Sequence, residues 1–225
     1  MDISQNRKFY PIPPPLPFHT PGEDIVNALL HGLGSLLAGV GLVLLILRAR
    51  DFPESGGRVL LCYMVFTTAM ICVFLISTLY HAIQHEGAKR VFRVLDHGAI
   101  YLFIAGTYTP FCLLVLKGLP GGIFLVIEWG LALTGIILHL INWKFLSKIE
   151  PGIYVLMGWA IAVLWFRLLR VLPVYSFIML VAGGIAYTLG IHWYRKAHRR
   201  GAHIIWHIFV LAGALCHWWS VWFLS

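Results

Sequence analysis

Apolar stretches of about 20 residues, the length a helix needs to cross a hydrocarbon core, recur along this chain between short polar breaks. Seven are predicted: Ile25 to Leu47, Val59 to His81, Leu95 to Leu116, Gly121 to Ile141, Ile153 to Leu169, Val174 to Tyr194 and His203 to Phe223. Closed barrels also satisfy every backbone group in lipid, but their strands alternate apolar and polar positions. The unbroken run from Leu36 to Leu47 does not alternate, so the pattern predicts helices. Prolines and glycines mark the stops, in Asp51-Phe52-Pro53-Glu54-Ser55-Gly56-Gly57, Lys117-Gly118-Leu119-Pro120-Gly121-Gly122 and Glu150-Pro151-Gly152. The expected fold is an all-α membrane protein, a bundle of seven transmembrane helices over residues 23–225.

Composition agrees. Of 225 residues, 60% are hydrophobic and 12% charged, where a soluble domain has about 45–50% apolar and about 25% charged residues. The first 22 residues form a separate arm containing Pro11, Pro13, Pro14, Pro15 and Pro17, a composition that favours extended chain over packing. The arm lacks the basic, apolar and small-residue regions of a cleaved signal peptide and is expected to lie free or on the membrane surface.

The distribution of Lys and Arg predicts the orientation, because cytoplasmic loops carry the excess. Arg7, Lys8, Lys89, Arg90, Arg93, Lys144, Lys148, Arg195, Lys196, Arg199 and Arg200 fall on one side, and Arg48, Arg50, Arg58, Lys117, Arg167 and Arg170 on the other. Eleven against six places the N-terminus in the cytoplasm and, after seven spans, the C-terminus outside. The formal net charge of +8 is thereby read as topogenic loops beside anionic lipid. No domain that docks nucleic acid accompanies it. Cys62, Cys72, Cys112 and Cys216 all fall within predicted spans without a CxxC spacing, and are read as free thiols.

Ionisable groups at membrane depth are costly and mark function. With alternating spans, Ser77-Thr78-Leu79-Tyr80-His81 ends the second span at the cytoplasmic face, Asp96-His97 opens the third there, and His203-Ile204-Ile205-Trp206-His207 opens the seventh. His203 and His207 are four residues apart, on one helix face, close enough to chelate one ion, and Ser77 and His81 repeat the spacing. His81 is the natural third ligand of a His₃ zinc set that leaves a fourth position to water. Each piece has a bland reading: an isolated HxxxH as interfacial histidines, and Asp96 as the N-terminal cap of the third helix. Their convergence on one level favours Zn²⁺ at His81, His203 and His207. Asp96 and Ser77 are then placed to hydrogen-bond a zinc-bound water, Asp96 as general base and later acid in amide or ester hydrolysis, or both as groups that merely orient the histidines.

Glu23, Asn27 and His31, at i, i+4, i+8, form a polar stripe expected to face the bundle interior and to serve interhelical hydrogen bonding. His217, about 15 Å along the helix from His207, is too far to share the ion, and His139 and His192, at span ends, need no special role. Gly32, Gly34, Gly106, Gly183, Gly184, Gly190 and Gly213 are placed for close helix approach. Trp218, Trp219 and Trp222 suit an aromatic belt.

The strings Glu23-Asp24-Ile25-Val26-Asn27 with His31-Gly32, Ser77-Thr78-Leu79-Tyr80-His81, Asp96-His97-Gly98-Ala99-Ile100-Tyr101, Ala105-Gly106-Thr107-Tyr108-Thr109-Pro110 and His203-Ile204-Ile205-Trp206-His207 resemble the hemolysin III family. This is the bacterial branch of the progestin and adipoQ receptor group, itself related to alkaline ceramidases. The resemblance implies a bacterial plasma or inner membrane location and zinc on the positions of His81, His203 and His207. It implies Ser77 and Asp96 beside the zinc water, and hydrolysis of a lipid amide such as ceramide. The alternative is a non-enzymatic protein with structural zinc, either a sensor of membrane-lipid homeostasis or a haemolytic factor. Membrane lipid is the expected partner under either reading.

Overall fold

Thr20 opens the first helix of this computed structural model, which describes residues 20–53, 56–141, 143–196 and 199–224. The Thr20 hydroxyl accepts from the Glu23 amide at 3.2 Å, and Glu23 Oε2 accepts from the Thr20 amide at 2.9 Å. This reciprocal cap satisfies two exposed donors, and Pro21 follows at a position that needs no N–H. Helix α1 (Pro21–Arg48) is followed by α2 (Gly56–Ala82), α3 (Glu86–Pro110), α4 (Gly118–Ile141), α5 (Trp143–Trp159), α6 (Trp165–Val171), α7 (Val174–Tyr194) and α8 (Ala202–Trp222). No strand occurs among the described residues. Seven stretches are long and apolar enough to cross a membrane, the fifth being Lys148–Val171, made of most of α5 with α6. The seven-span, all-helical fold expected from the sequence is what the chain adopts. Residues 1–19 of the proline-rich arm, including Arg7 and Lys8, lie outside the described residues, and the helix begins two residues before the expected boundary.

At the start of α3 the bland reading of Asp96 falls and the expectation for Lys89 is corrected. The helix begins at Glu86, capped by His85, whose Nδ1 accepts from the Ala88 amide at 3.2 Å. Asp96 therefore sits inside the helix, about 15 Å from its start, and caps nothing. Lys89, assigned to a loop, is instead buried on the second turn and paired with Asp24.

Helix α3 passes Pro110 and widens into a π-helical turn over Phe111–Leu116, a form that absorbs a missing backbone donor. The chain reverses at Lys117 (φ 44°) and Gly118 (φ 60°), and Arg167 Nη2 donates to the Leu116 carbonyl at 2.9 Å. The stop expected at Glu150-Pro151-Gly152 does not exist, because Pro151 lies within α5. The helix breaks later, into a 3₁₀ turn over Ala160–Leu164. There the Tyr108 hydroxyl donates to the Met157 carbonyl (2.6 Å) and accepts from the Ile161 amide (2.9 Å), standing in for the helical bonds the break removes.

Sequence neighbours pack as spatial neighbours, and α8 returns beside α1. The two run in the same direction: Glu23 Oε1 accepts from the Gly201 amide at 2.6 Å at one end, and the Arg48 guanidinium lies 4.5 Å from the Trp222 ring centre at the other. Small residues permit these approaches. A Cβ on Gly106 would meet the Ala69 Cβ at 2.7 Å, and one on Gly213 would meet the Tyr187 ring at 2.7 Å. Gly32 is not such a site, its nearest neighbour being 3.7 Å away. Val126, Val163 and Phe166 point outward, 73%, 83% and 78% exposed, as side chains facing hydrocarbon do. Trp218 departs from the expected belt: it is buried, stacked on Trp222 at 5.3 Å, while Trp219 faces outward.

Candidate metal centre

The end of the bundle where α1 and α8 begin and α2 ends gathers the histidines. One nitrogen from each of His81, His203 and His207 lies within 4.8 Å of the others. His81 Nδ1 donates to Asp24 Oδ1 at 2.8 Å, since a carboxylate only accepts. Its Nε2 is thereby left with a lone pair, aimed at His207 Nε2 3.1 Å away. Adjoining corners of a zinc tetrahedron with Zn–N bonds of about 2.0–2.1 Å are roughly 3.3–3.4 Å apart, close to this separation. His207 Nδ1 in turn meets His31 Nε2 at 2.5 Å. The His81 and His207 nitrogens are therefore spaced as two corners of one tetrahedral ion, with their opposite nitrogens on Asp24 and His31, the arrangement that fixes tautomer and ring orientation around a metal. His203 brings a third nitrogen within 4.8 Å.

Asp24 is itself held. Lys89 Nζ donates to Asp24 Oδ2 at 2.5 Å and lies 5.7 Å from the Tyr80 ring centre. Asp24, Asn27 and His31 share the inward face of α1. The stripe read from the sequence thus begins at Asp24 rather than Glu23, which caps the helix. Neither side-chain atom of Asn27 has a hydrogen-bond partner, although the residue is fully buried. The Ser77 hydroxyl, also buried, faces the Asp96 carboxylate without reaching hydrogen-bond geometry. Buried polar groups without protein partners are rare and call for an occupant such as water or an ion.

Two cavities meet here. The first, a cavity of about 120 Å³, is lined by Ser77, Asp96, His31 and His207 at one end. It follows α3 from Asp96 to Phe111, roughly 22 Å at the helical rise, past Leu180 and His217. His217 Nε2 donates to the Leu180 carbonyl at 3.3 Å. Gly158 on α5 and Thr188 on α7 are exposed and also line this cavity, and Trp159 Nε1 donates to Thr188 Oγ1 at 3.0 Å across the two helices there. The second cavity holds Arg93, Asp96, His97, Tyr194 and His203. Asp96 borders both.

His139, at a span end, has a role its position in the sequence does not suggest. The structure sets it, fully buried, against Glu150, with His97 completing a second cluster. The signal lay in Glu150, which was read as part of a turn. Glu128, buried at mid-span on α4 with neither oxygen hydrogen-bonded, also passed unremarked. The four cysteines are free, as expected.

Helix order, burial pattern and the histidines at one end define a multi-pass seven-helix membrane protein with a candidate metal centre inside the bundle. The chain belongs to the haemolysin-III related family, whose family model matches residues 19–218. It is 39% identical over 192 residues to Hemolysin-3 of Bacillus cereus, covering 85% of this chain and 87% of that one. It is 38% identical over 201 residues to the Hemolysin-3 homolog of Bacillus subtilis (strain 168), covering 89% and 93%. A more distant likeness, 24% over 206 residues, covering 89% and 83%, is to the human monocyte to macrophage differentiation factor.

Proposed function

We propose that the chain holds Zn²⁺ on His81, His203 and His207 and hydrolyses an amide bond of a membrane lipid, from the cytoplasmic face of a bacterial plasma membrane. The observation that carries this reading is the convergence of three imidazole nitrogens, with one of the three residues, His207, lining a long cavity together with Ser77 and Asp96. The orientation rests on Arg90, Arg93, Arg195, Lys196, Arg199 and Arg200, which cluster at the same end of the bundle as the histidines.

Held by His81, His203 and His207, zinc would supply a Lewis acid for the amide carbonyl and lower the pKa of a water. The chain's own groups do the rest. The cavity takes the acyl chain and keeps bulk water from the amide. Asp96, which borders both cavities, accepts the proton of the attacking water and returns it to the departing nitrogen. Ser77 Oγ donates to the amide carbonyl, and Asp24 and His31 hold His81 and His207 in place.

The test is zinc content of the purified chain, together with fatty-acid release from ceramide-class amides by wild type and Asp96→Asn. Loss of a general base costs about 10²–10⁴-fold, and a drop of that size with zinc retained is expected. Bound zinc with equal, background release from both would overturn the reading. A second reading follows from the name Hemolysin-3 borne by the Bacillus cereus relative: a cytolytic protein whose zinc only ties α2 to α8. Erythrocyte lysis that persists in Asp96→Asn would favour it.

A further inference from the structure

His97 on α3, His139 on α4 and Glu150 on α5 meet away from the three-histidine cluster. His97 Nδ1 lies 3.0 Å from Glu150 Oε2, and His139 Nδ1 is in contact with Oε1. The two rings stack with centres 5.2 Å apart and planes 24° from parallel. His139 and Glu150 are each 1% exposed and His97 is 9% exposed. One donor atom from each residue lies within 4.8 Å of the others.

The charge of Glu150 is the difficulty the cluster has to solve. A buried carboxylate costs several kcal/mol unless paired, yet no Lys or Arg among the described residues bridges to it, and its ion pairs are to the two imidazoles alone. Two neutral imidazoles donating Nδ1–H would leave a full negative charge inside the bundle. A divalent ion would take all three groups as ligands, with the carboxylate offsetting one of its two charges.

We propose that His97, His139 and Glu150 form a second divalent transition-metal site, distinct from the three-histidine cluster. Two imidazoles and one carboxylate are a donor set that zinc enzymes use. The supporting contacts are present: Tyr154 Oη donates to the His97 carbonyl at 3.0 Å, fixing the backbone that carries one ligand. A route for the ion is present too, since His97 lines the same chamber as Asp96 and His203. Tyr194 stands between the clusters, its ring centre 6.4 Å from those of both His97 and His203, so the two ions would not share a bridging ligand. The carboxylate makes this the harder site, more tolerant of Mn²⁺ than three imidazoles are.

The whole chain, stripped with a chelator and returned to lipid nanodiscs, is titrated with Zn²⁺ and with Co²⁺, and the retained metal is counted. Wild type is expected to bind two ions, Glu150→Gln one, and the double variant His81→Ala/His203→Ala one. The Co²⁺ visible bands of that double variant should vanish when Glu150→Gln is added. A wild type that binds one ion, lost in Glu150→Gln and kept in His81→Ala/His203→Ala, supports this site and refutes the zinc reading of the other. Metal stoichiometry untouched by Glu150→Gln, or a Co²⁺ titration of wild type with a single phase that His81→Ala/His203→Ala abolishes, overturns the second site. The cluster would then be a hydrogen-bonded clip. Should Glu150→Gln fail to fold, His139→Gln takes its place with the same expected loss of one ion.

Discussion

Asp24 and His81, fifty-seven residues apart, are joined by a 2.8 Å hydrogen bond that sets which ring nitrogen of His81 is left to bind. The same carboxylate receives Lys89. One acidic side chain thus orients a proposed ligand and neutralises a buried cation.

Asp24→Asn keeps the shape of the residue and loses its charge. Zinc affinity, measured by competition with a chromogenic chelator, should fall about 10–100-fold, the usual cost of removing a group that orients a ligand. Asp24→Ala should also destabilise the fold by about 3–5 kcal/mol, because Lys89 is left buried without its partner. Replacing Lys89 with Met in that background should recover most of the stability and none of the affinity.

Thermal unfolding should respond to metal without any substrate. An ion that binds only the folded chain adds about 2.7 kcal/mol at a free concentration of 100 times Kd, so the Tm in detergent should rise with Zn²⁺ and drop with chelator. The component due to the three-histidine cluster should disappear in His203→Ala. A Tm indifferent to both zinc and chelator would mean that neither cluster holds an ion.

Two glycines should behave oppositely. Gly106→Val forces a side chain onto Ala69, where even a Cβ comes within 2.7 Å. A cost of about 1–3 kcal/mol is expected from such overpacking. Gly130→Ala, on α4 with nothing within 4 Å of the new Cβ, should instead gain about 0.5–1 kcal/mol from helix propensity. Denaturant titration of the two variants in the same micelle checks both signs.

Leu180→Trp blocks the cavity beyond its middle and leaves the end near Asp96 untouched. Under the hydrolase reading, release from long-chain amides should fall about tenfold or more relative to short-chain ones, a difference of about 1.4 kcal/mol. Equal loss at all chain lengths would show that the acyl group does not lie along α3.

The seven spans were legible because span length and apolar runs follow from the bilayer itself, and His81, His203 and His207 because four-residue spacing survives any error in helix ends. Asp24 and Lys89 were hidden for a related reason. The first turns of α3, Glu86 to Arg93, are amphipathic and too polar to register as a span, so Lys89 was assigned to a loop and its partner went unsought. Glu150 was lost to the Pro-Gly pair after it, which reads as a stop in isolation. In the folded chain, α5 runs through Pro151. Both failures are cases of tertiary packing overriding a local signal.

The exposure of Gly158 and Thr188, which line the cavity and face outward among the spans, has a consequence for any measurement of binding. A guest that enters past them comes from the bilayer, so its effective concentration is its mole fraction in the surrounding lipid. Adding protein-free micelles should then weaken apparent affinity by surface dilution at constant bulk concentration, and packing the same guest into a small nanodisc should strengthen it.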